Sequence, residues 1–334
     1  VYAIYGICTI ENVDIPVILA GLLGVYLLLC AYVAIGLFMS SLTSYQIVAA
    51  VGTLAVLAVL TYVKGMWQSV PFVREITYWF GMTGRSDNFM FGMIASEDVL
   101  YFVVVVMLFL LMTIIRLQGR RQKVGWLMSL GKYAGVWGLA VVLAFMSSRP
   151  VFKYYYDATH MKANTLTPNS QEIINKLDGG LTITTYVNIL DQYNWLGYPK
   201  NYNDDIRRFE QYTRFKPEIK MKYVLYYDTV KNDYLERAFP GMSYEEKAKK
   251  VIEMEKLNPK KILTPEQIRA KIDLRTTEGN RCVRLLERES GEKTFLRLYD
   301  DYQIFPSESE ITAALKRMVM TLPTIGFLSG HGER

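Results

Sequence analysis

Four apolar runs occupy the first 147 positions, and beyond them the pattern breaks into short alternating and amphipathic pieces. Residues 16–40 carry no charge and exceed the roughly 20 helical residues needed to cross a hydrocarbon layer of about 30 Å. Pro16 suits a first helical position, with Asp14 just upstream. Residues 45–63 form a second run. The link between them, Ser41-Leu-Thr-Ser44, is short enough to force antiparallel neighbours. Residues 99–115 form a third. The fourth, 133–147, is shorter and spans only if Lys132 snorkels or the helix extends back through 126–130.

Between the second and third runs, residues 64–98 mix Met66, Trp67, Val70, Phe72, Val73, Ile76, Tyr78, Trp79 and Phe80 with few charges. This pattern fits equally short amphipathic helices at a membrane interface, anchored by Trp67 and Trp79, and a structured extracellular loop. After Ser147 the periods are those of a soluble α/β domain. Thr167-Pro168 opens a helix to about Leu177. Residues 181–188 and 219–227 read as strands, with a helix over 203–215 between them. Ser243/Glu246, Thr264/Gln267 and Ser307/Glu310 are capping boxes opening helices over 244–256, 265–272 and 308–320. The charged stretch 244–272 reads as an inserted hairpin. Residues 281–287 and 293–299 flank Arg288-Glu-Ser-Gly291, a hairpin signal, and 324–329 form a last apolar strand. Strands alternating with helices predict a mixed, partly parallel sheet.

Charge orients the picture. All but three of the 38 Lys and Arg residues follow position 115. The third run leads directly into Arg116-Leu-Gln-Gly-Arg-Arg-Gln-Lys123, so Arg116, Arg120, Arg121 and Lys123, with Lys132, form an acid-free basic loop. Such loops stay in the cytoplasm. The fourth run then carries residues 150–334 out of the cytoplasm. The expectation is a multi-domain protein: an all-α transmembrane bundle followed by an extracytoplasmic α/β domain, in the inner membrane. Its parts are 1–123, a linker and further span over 124–150, and 151–334. The net charge of +6 is interrupted by acids and forms no aromatic-laced stripe, so nucleic acid is not an expected partner, whereas membrane lipid is. Both ends read as cut, so the chain is expected to be a piece of a longer protein.

Candidate chemistry is sparse. Three cysteines (Cys8, Cys30 and Cys282) have neither metal-ligand nor redox spacing, and no phosphate-binding Gly-x-x-x-x-Gly-Lys loop occurs. Asp204/Asp205 and Asp300/Asp301 are adjacent and point apart, so they read as helix-start or turn residues. Gly330, His331, Gly332 and Glu333 follow the last strand, where α/β sheets bind ligands. His331 or Glu333 has acid-base potential there, although the segment also reads as a tight turn with a polar tip. No ionisable residue lies at the centre of the first three runs, which argues against an ion-driven carrier. If the protein moves cargo, the energy comes from elsewhere, such as a partner ATPase.

Gly36-Leu-Phe-Met-Ser-Ser-Leu-Thr-Ser-Tyr-Gln-Ile-Val-Ala-Ala50 resembles the turn between the fourth and fifth spans of type-2 ABC exporter permeases, in the gliding-motility GldF-like branch found in Bacteroidetes-like bacteria. Phe89-Met-Phe-Gly-Met-Ile-Ala-Ser-Glu-Asp-Val-Leu-Tyr-Phe102 resembles that branch's interfacial helix leading into the sixth span. Asp157-Ala-Thr-His-Met-Lys-Ala-Asn-Thr-Leu-Thr-Pro168 resembles the opening of the GldG-type auxiliary domain, with Asp157, Thr159, Thr165, Leu166 and Thr167 as its motif residues. Thr324-Ile-Gly-Phe-Leu-Ser-Gly-His-Gly-Glu333 resembles the same domain's strand ending in Gly-His-Gly-Glu. The resemblance implies a permease fused to its auxiliary component. It also implies a homodimer or permease dimer, a separate ABC ATPase subunit that binds the ATP, and no cofactor or metal on this chain. The rival expectations are a non-transporting envelope anchor or adhesion protein, and a membrane-tethered hydrolase using His331. The topology has a direct consequence: alkaline phosphatase fused after residue 200 is active, and a reporter active only in the cytosol is silent at the same position. The reverse result removes the proposed orientation.

Overall fold

The computed structural model describes residues 13–63, 68, 70–82, 84–121, 125–147, 149, 152–298 and 302–320. Contacts divide the chain into two compact units, one up to Thr165 and one from Leu166 onward. The sequence put this boundary at 150, but residues 152–165 pack with the first unit.

In the first unit the apolar runs are helices. α1 (Ile15–Leu42) has Pro16 in its first turn, and a turn at 43–45 leads into α2 (Gln46–Tyr62). α3 (Pro71–Phe80) and α4 (Arg85–Met90) follow. The three-residue strand β1 (Met93–Ala95) runs straight into α5 (Ser96–Arg121), and α6 (Trp126–Ser147) comes next. Among the described residues, α1, α5 and α6 are long and apolar enough to cross a membrane. α2, at 17 residues, falls just short, although four spans were expected. α6 does begin at Trp126, so it includes Lys132 and reaches 22 residues. The interfacial segment forms two short helices. Trp67 lies outside the described residues, and so does the side chain of Trp79.

Small residues set the packing. α1 buries Ala20, Gly24, Ala31 and Ala34 along one side, where α4 and α5 approach. A Cβ on Gly24 would stand 2.5 Å from the Phe89 Cβ, so only glycine admits that ring. Lipid tails are as apolar as the side chains, so close approach rather than hydrophobic burial holds such helices together. Phe89 then packs with Ile35, Tyr101, Phe102 and Val105.

The second unit holds a five-stranded sheet. Its strands are β3 (Leu181–Asn188), β4 (Lys220–Tyr226), β5 (Ile262–Leu263), β6 (Val283–Arg288) and β7 (Lys293–Arg297), in the order β5-β4-β3-β6-β7. Both β3–β4 and β4–β5 are parallel, while β3–β6 and β6–β7 are antiparallel. The expected mixed sheet is therefore present. Alternation puts Leu181, Ile183, Thr185 and Val187 on one face, with Met221, Tyr223 and Leu225 of β4 and with Arg284 and Leu286 of β6. That face packs against α7 (Pro168–Asn175) and α14 (Glu308–Val319). The other face carries Tyr226, Val283 and Phe295 under Ile268 and Leu274.

Several boundaries moved. The helix expected over 203–215 is two pieces, α8 (Tyr202–Arg208) and α9 (Glu210–Phe215), with Phe209 buried at the break. The stretch expected as an inserted hairpin is α11 (Tyr244–Met254), β5 and α12 (Pro265–Lys271), and β5 extends the sheet. α10 (Asp233–Ala238), capped by Asn232, and α13 (Arg275–Glu278) were not expected. All three capping boxes are formed. The strand expected over 324–329 lies outside the described residues.

One charged pair sits inside this second core. Arg284 is fully buried and donates from Nη1 to Asp205 Oδ2 at 2.8 Å and from Nη2 to Asp205 Oδ1 at 2.6 Å. Nη1 also reaches Thr185 Oγ1, and the Tyr223 hydroxyl donates to Asp205 Oδ2. Asp205 is thus the buried partner of an arginine, not a plain helix-start residue, while Asp204 is exposed. Removing one member leaves the other charge buried and unpaired. Asp205→Asn is therefore expected to lose about 3–5 kcal/mol of stability, against about 1 kcal/mol for Tyr223→Phe. Urea unfolding of the full chain, followed by fluorescence of Trp195, measures both.

Candidate functional site

Chain leaving α6 returns to the end of the bundle where α5 begins. β2 (Tyr155–Asp157) pairs antiparallel with β1, with Met93 opposite Asp157 and Ala95 opposite Tyr155. Ser96 fastens the near end. Its backbone N–H donates to the Tyr154 carbonyl, its Oγ donates to the Phe152 carbonyl at 2.9 Å, and the Tyr154 N–H donates to that Oγ at 2.9 Å. Lys153 Nζ lies 2.6 Å from Glu97 Oε2. The Ala158 N–H donates to the Gly92 carbonyl at 2.8 Å, and the His160 N–H donates to Asp14 Oδ2 at 2.8 Å. Asp14 thereby holds this loop instead of capping α1 with its side chain.

The far end is fixed by the motif residues. Asp157 Oδ1 accepts from the Thr159 N–H at 3.0 Å and from its hydroxyl at 2.6 Å. Asp157 Oδ2 accepts from the Asn164 N–H and from the Thr165 hydroxyl, each at 2.9 Å. Asn164 Nδ2 donates onward to the Phe91 carbonyl at 2.7 Å. A short acceptor with four lone pairs is what this arrangement needs, and Ser or Asn in its place supplies fewer. Asp157, Thr159 and Thr165 are thus brought together, in a structural lock and not around an open pocket.

Leu166 and Thr167 belong to the second unit. Leu166 is buried in the core beside Ile173 and Leu315. Thr167 holds the N-cap position of α7, but its hydroxyl and N–H both donate to Glu308 Oε1 at 2.8 Å instead of capping α7. The motif therefore spans the unit boundary, with three residues fastening one unit and two the other.

A second polar cluster lies at the carboxyl ends of β3 and β4, where open α/β sheets bind ligands. Asn188 Nδ2 donates to the carbonyls of Asp228 and Asn280, and Asp228 receives two bonds from Arg269. Asp191 Oδ2 accepts from the Cys282 N–H. Burial pushes the Cys282 thiol up, so it stays protonated and unreactive. Beside the cluster is an open cleft of about 420 Å³ lined by Thr229, Lys231, Asn232, Glu236, Tyr244 and Gly279. Sequence reading missed it because Asn188, Asp228 and Asn280 lie far apart in the chain and carry no motif. Gly330, His331, Gly332 and Glu333 lie outside the described residues. Arg116, Arg120 and Arg121 form the exposed end of α5, and Lys123 is also outside the described residues. No group of three or more metal-ligating side chains occurs among the described residues.

The lock is sensitive to acid. Burial pushes the Asp157 carboxyl up, but the bonds from Thr159, Thr165 and Asn164 outweigh it and hold it below the ordinary carboxylate range. A carboxyl lowered in the folded state stabilises that state above the unfolded value of about 3.9, and the stabilisation is lost as pH falls through the folded value. Amide exchange over residues 152–165 is therefore expected to quicken as pH drops below about 4, once corrected for intrinsic rates. Asp157→Asn, which turns a donor NH₂ toward other donors, is expected to quicken it at neutral pH by about 1–3 kcal/mol of opening free energy and to weaken the acid dependence, with Asp14 and Glu97 still holding His160 and Lys153. Comparison with protein-family models, with curated proteins and with solved structures found no significant match for this chain.

Proposed function

We propose that this chain is the membrane subunit of an ABC-type transport system, exporter-like, carrying a fused extracytoplasmic domain that binds a substrate or an envelope partner. The observation that carries the reading is the lock itself. β1 is continuous with α5, and β2 leads onward to the α/β unit, so a movement of α5 is passed to the chain entering that unit. In a transporter that connection serves as a mechanical link between a span and the chain leading to the domain beyond it. The apolar centres of α1, α2 and α5 offer no ionisable group for ion-driven transport, which favours an external energy source.

On this reading the α1–α2 turn around Ser41–Ser44 and the basic segment from Arg116 to Lys132 face the cytoplasm and dock a separate ATPase, which holds the ATP. Two copies, or two permeases, enclose the path. Residues 150–334 lie on the periplasmic side. The cargo is a sugar polymer, lipid-linked material or a protein, and gliding motility is one setting for it. Purification of the tagged chain from its native membrane tests this. An ABC ATPase is expected to co-purify, and its turnover in nanodiscs depends on this chain. Arg120→Glu with Arg121→Glu is expected to reduce its recovery at least about tenfold through charge reversal at the dock. Recovery of the intact chain with no ATPase would leave the anchor reading in its place.

A further inference from the structure

The membrane unit contains an apolar groove of about 480 Å³ between α2, α3, α5 and α6, and Tyr101, Leu108, Phe109, Trp137, Ala144 and Phe145 mark its extent. Its lining runs from Tyr101 to Phe109 on α5 and from Trp137 to Phe145 on α6. Eight helical steps make it about 12 Å long. That is less than half of a hydrocarbon layer of about 30 Å, so the groove lies within one leaflet. It is the leaflet next to the β1–β2 end, because Tyr101 sits five residues into α5 and Phe145 two residues before the end of α6.

A cation stands at the mouth. The Arg149 N–H donates to the Met146 carbonyl, and this bond folds the residue back over the end of α6. Its guanidinium lies 3.9 Å from the centroid of the Phe145 ring, which is itself part of the groove wall. Neighbouring cations at this end are engaged: Arg85 is held by Asp98, and Lys153 by Glu97. Arg149 has no carboxylate partner among the described residues. The geometry points to a lipid site: one acyl tail of a phospholipid whose headgroup is net negative occupies the groove, and that headgroup is bound by Arg149. A lipid with an anionic head and a tail confined to one leaflet matches both the length and the charge. A crossing helix does not, since one turn with side chains already fills about 400–600 Å³ and a span continues through both leaflets.

This inference requires only that the unit is membrane-embedded, not that it transports. It is tested on the full chain in nanodiscs of phosphatidylcholine doped with phosphatidylglycerol carrying a photoreactive tail. Crosslinks are expected on the α5 and α6 walls, with phosphatidylglycerol captured about fivefold over an equally labelled phosphatidylcholine, the preference one surface arginine supplies. Arg149→Ala is expected to abolish the preference but keep the crosslink, and Arg149→Lys to retain both. Ala144→Trp, which fills the groove, is expected to abolish the crosslink; Ala140→Trp is the second filling variant should the first fail to fold. Equal capture of the two lipids by the unaltered chain overturns the headgroup assignment. An undiminished crosslink in a folded groove-filling variant, or occupation of the groove by a protein segment, overturns the site.

Discussion

A chain emerging from an apolar helix must give its buried backbone N–H and C=O groups new partners, because an unpaired buried polar group costs about twice what a formed hydrogen bond contributes. Downstream of α6, residues 152–157 meet this constraint through Ser96 and the pairing of β2 with β1. The segment through Asp157 is then satisfied by the backbone that opens α5, by Ser96 and by Gly92. Everything beyond follows from that choice. The loop can close only if its next turn is also satisfied, and the Asp157 carboxylate does this by collecting four donors from residues 159–165.

The apolar segments were legible because a membrane leaves few alternatives: lipid-exposed backbone must be helical, so an uncharged run of sufficient length already specifies the structure. Capping boxes were equally legible, since Ser243, Thr264 and Ser307 each find their carboxyl or amide partner three residues on. Strand β3 alternates and was read to the residue. β1 and β2 were not, because three residues contain barely one period and their pairing joins positions about sixty apart. The helix over 203–215 was read as continuous, since nothing in its composition marks the break that Phe209 makes in order to enter the core beside Tyr212.

The motif residues show a different limit. Asp157, Thr159 and Thr165 could be singled out from sequence, but not what they do: the same short polar side chains serve a ligand or a turn. The distinction lies in where their bonds go, and here they go to one another and to Phe91 by way of Asn164. Asp205 was misjudged for the same reason. Its partner Arg284 is 79 positions away, in a strand that also carries Glu287 and Arg288, so the sequence does not mark which charge is buried.

Those two carboxylates answer the same physical problem in different solvents. In the α/β unit the sheet register alone would permit β6 to slide by two residues and still present an apolar face, since Leu286 and Arg284 occupy equivalent sides. Such a slip would pull Arg284 from Asp205, Thr185 and the ring of Phe209, and leave a charge buried without a partner. A buried ion pair contributes little net stability over an apolar substitute, yet it makes wrong registers costly. The Asp157 lock acts likewise on a pairing only three residues long, which on its own would be weakly specified. A slip of β2 by one residue would turn Asp157 away from Thr159, Asn164 and Thr165 and leave two amides and two hydroxyls without this acceptor. The pairing beside the bundle is short enough to need the lock, and the lock is polar enough to suit the end of the bundle, beyond the long apolar helices.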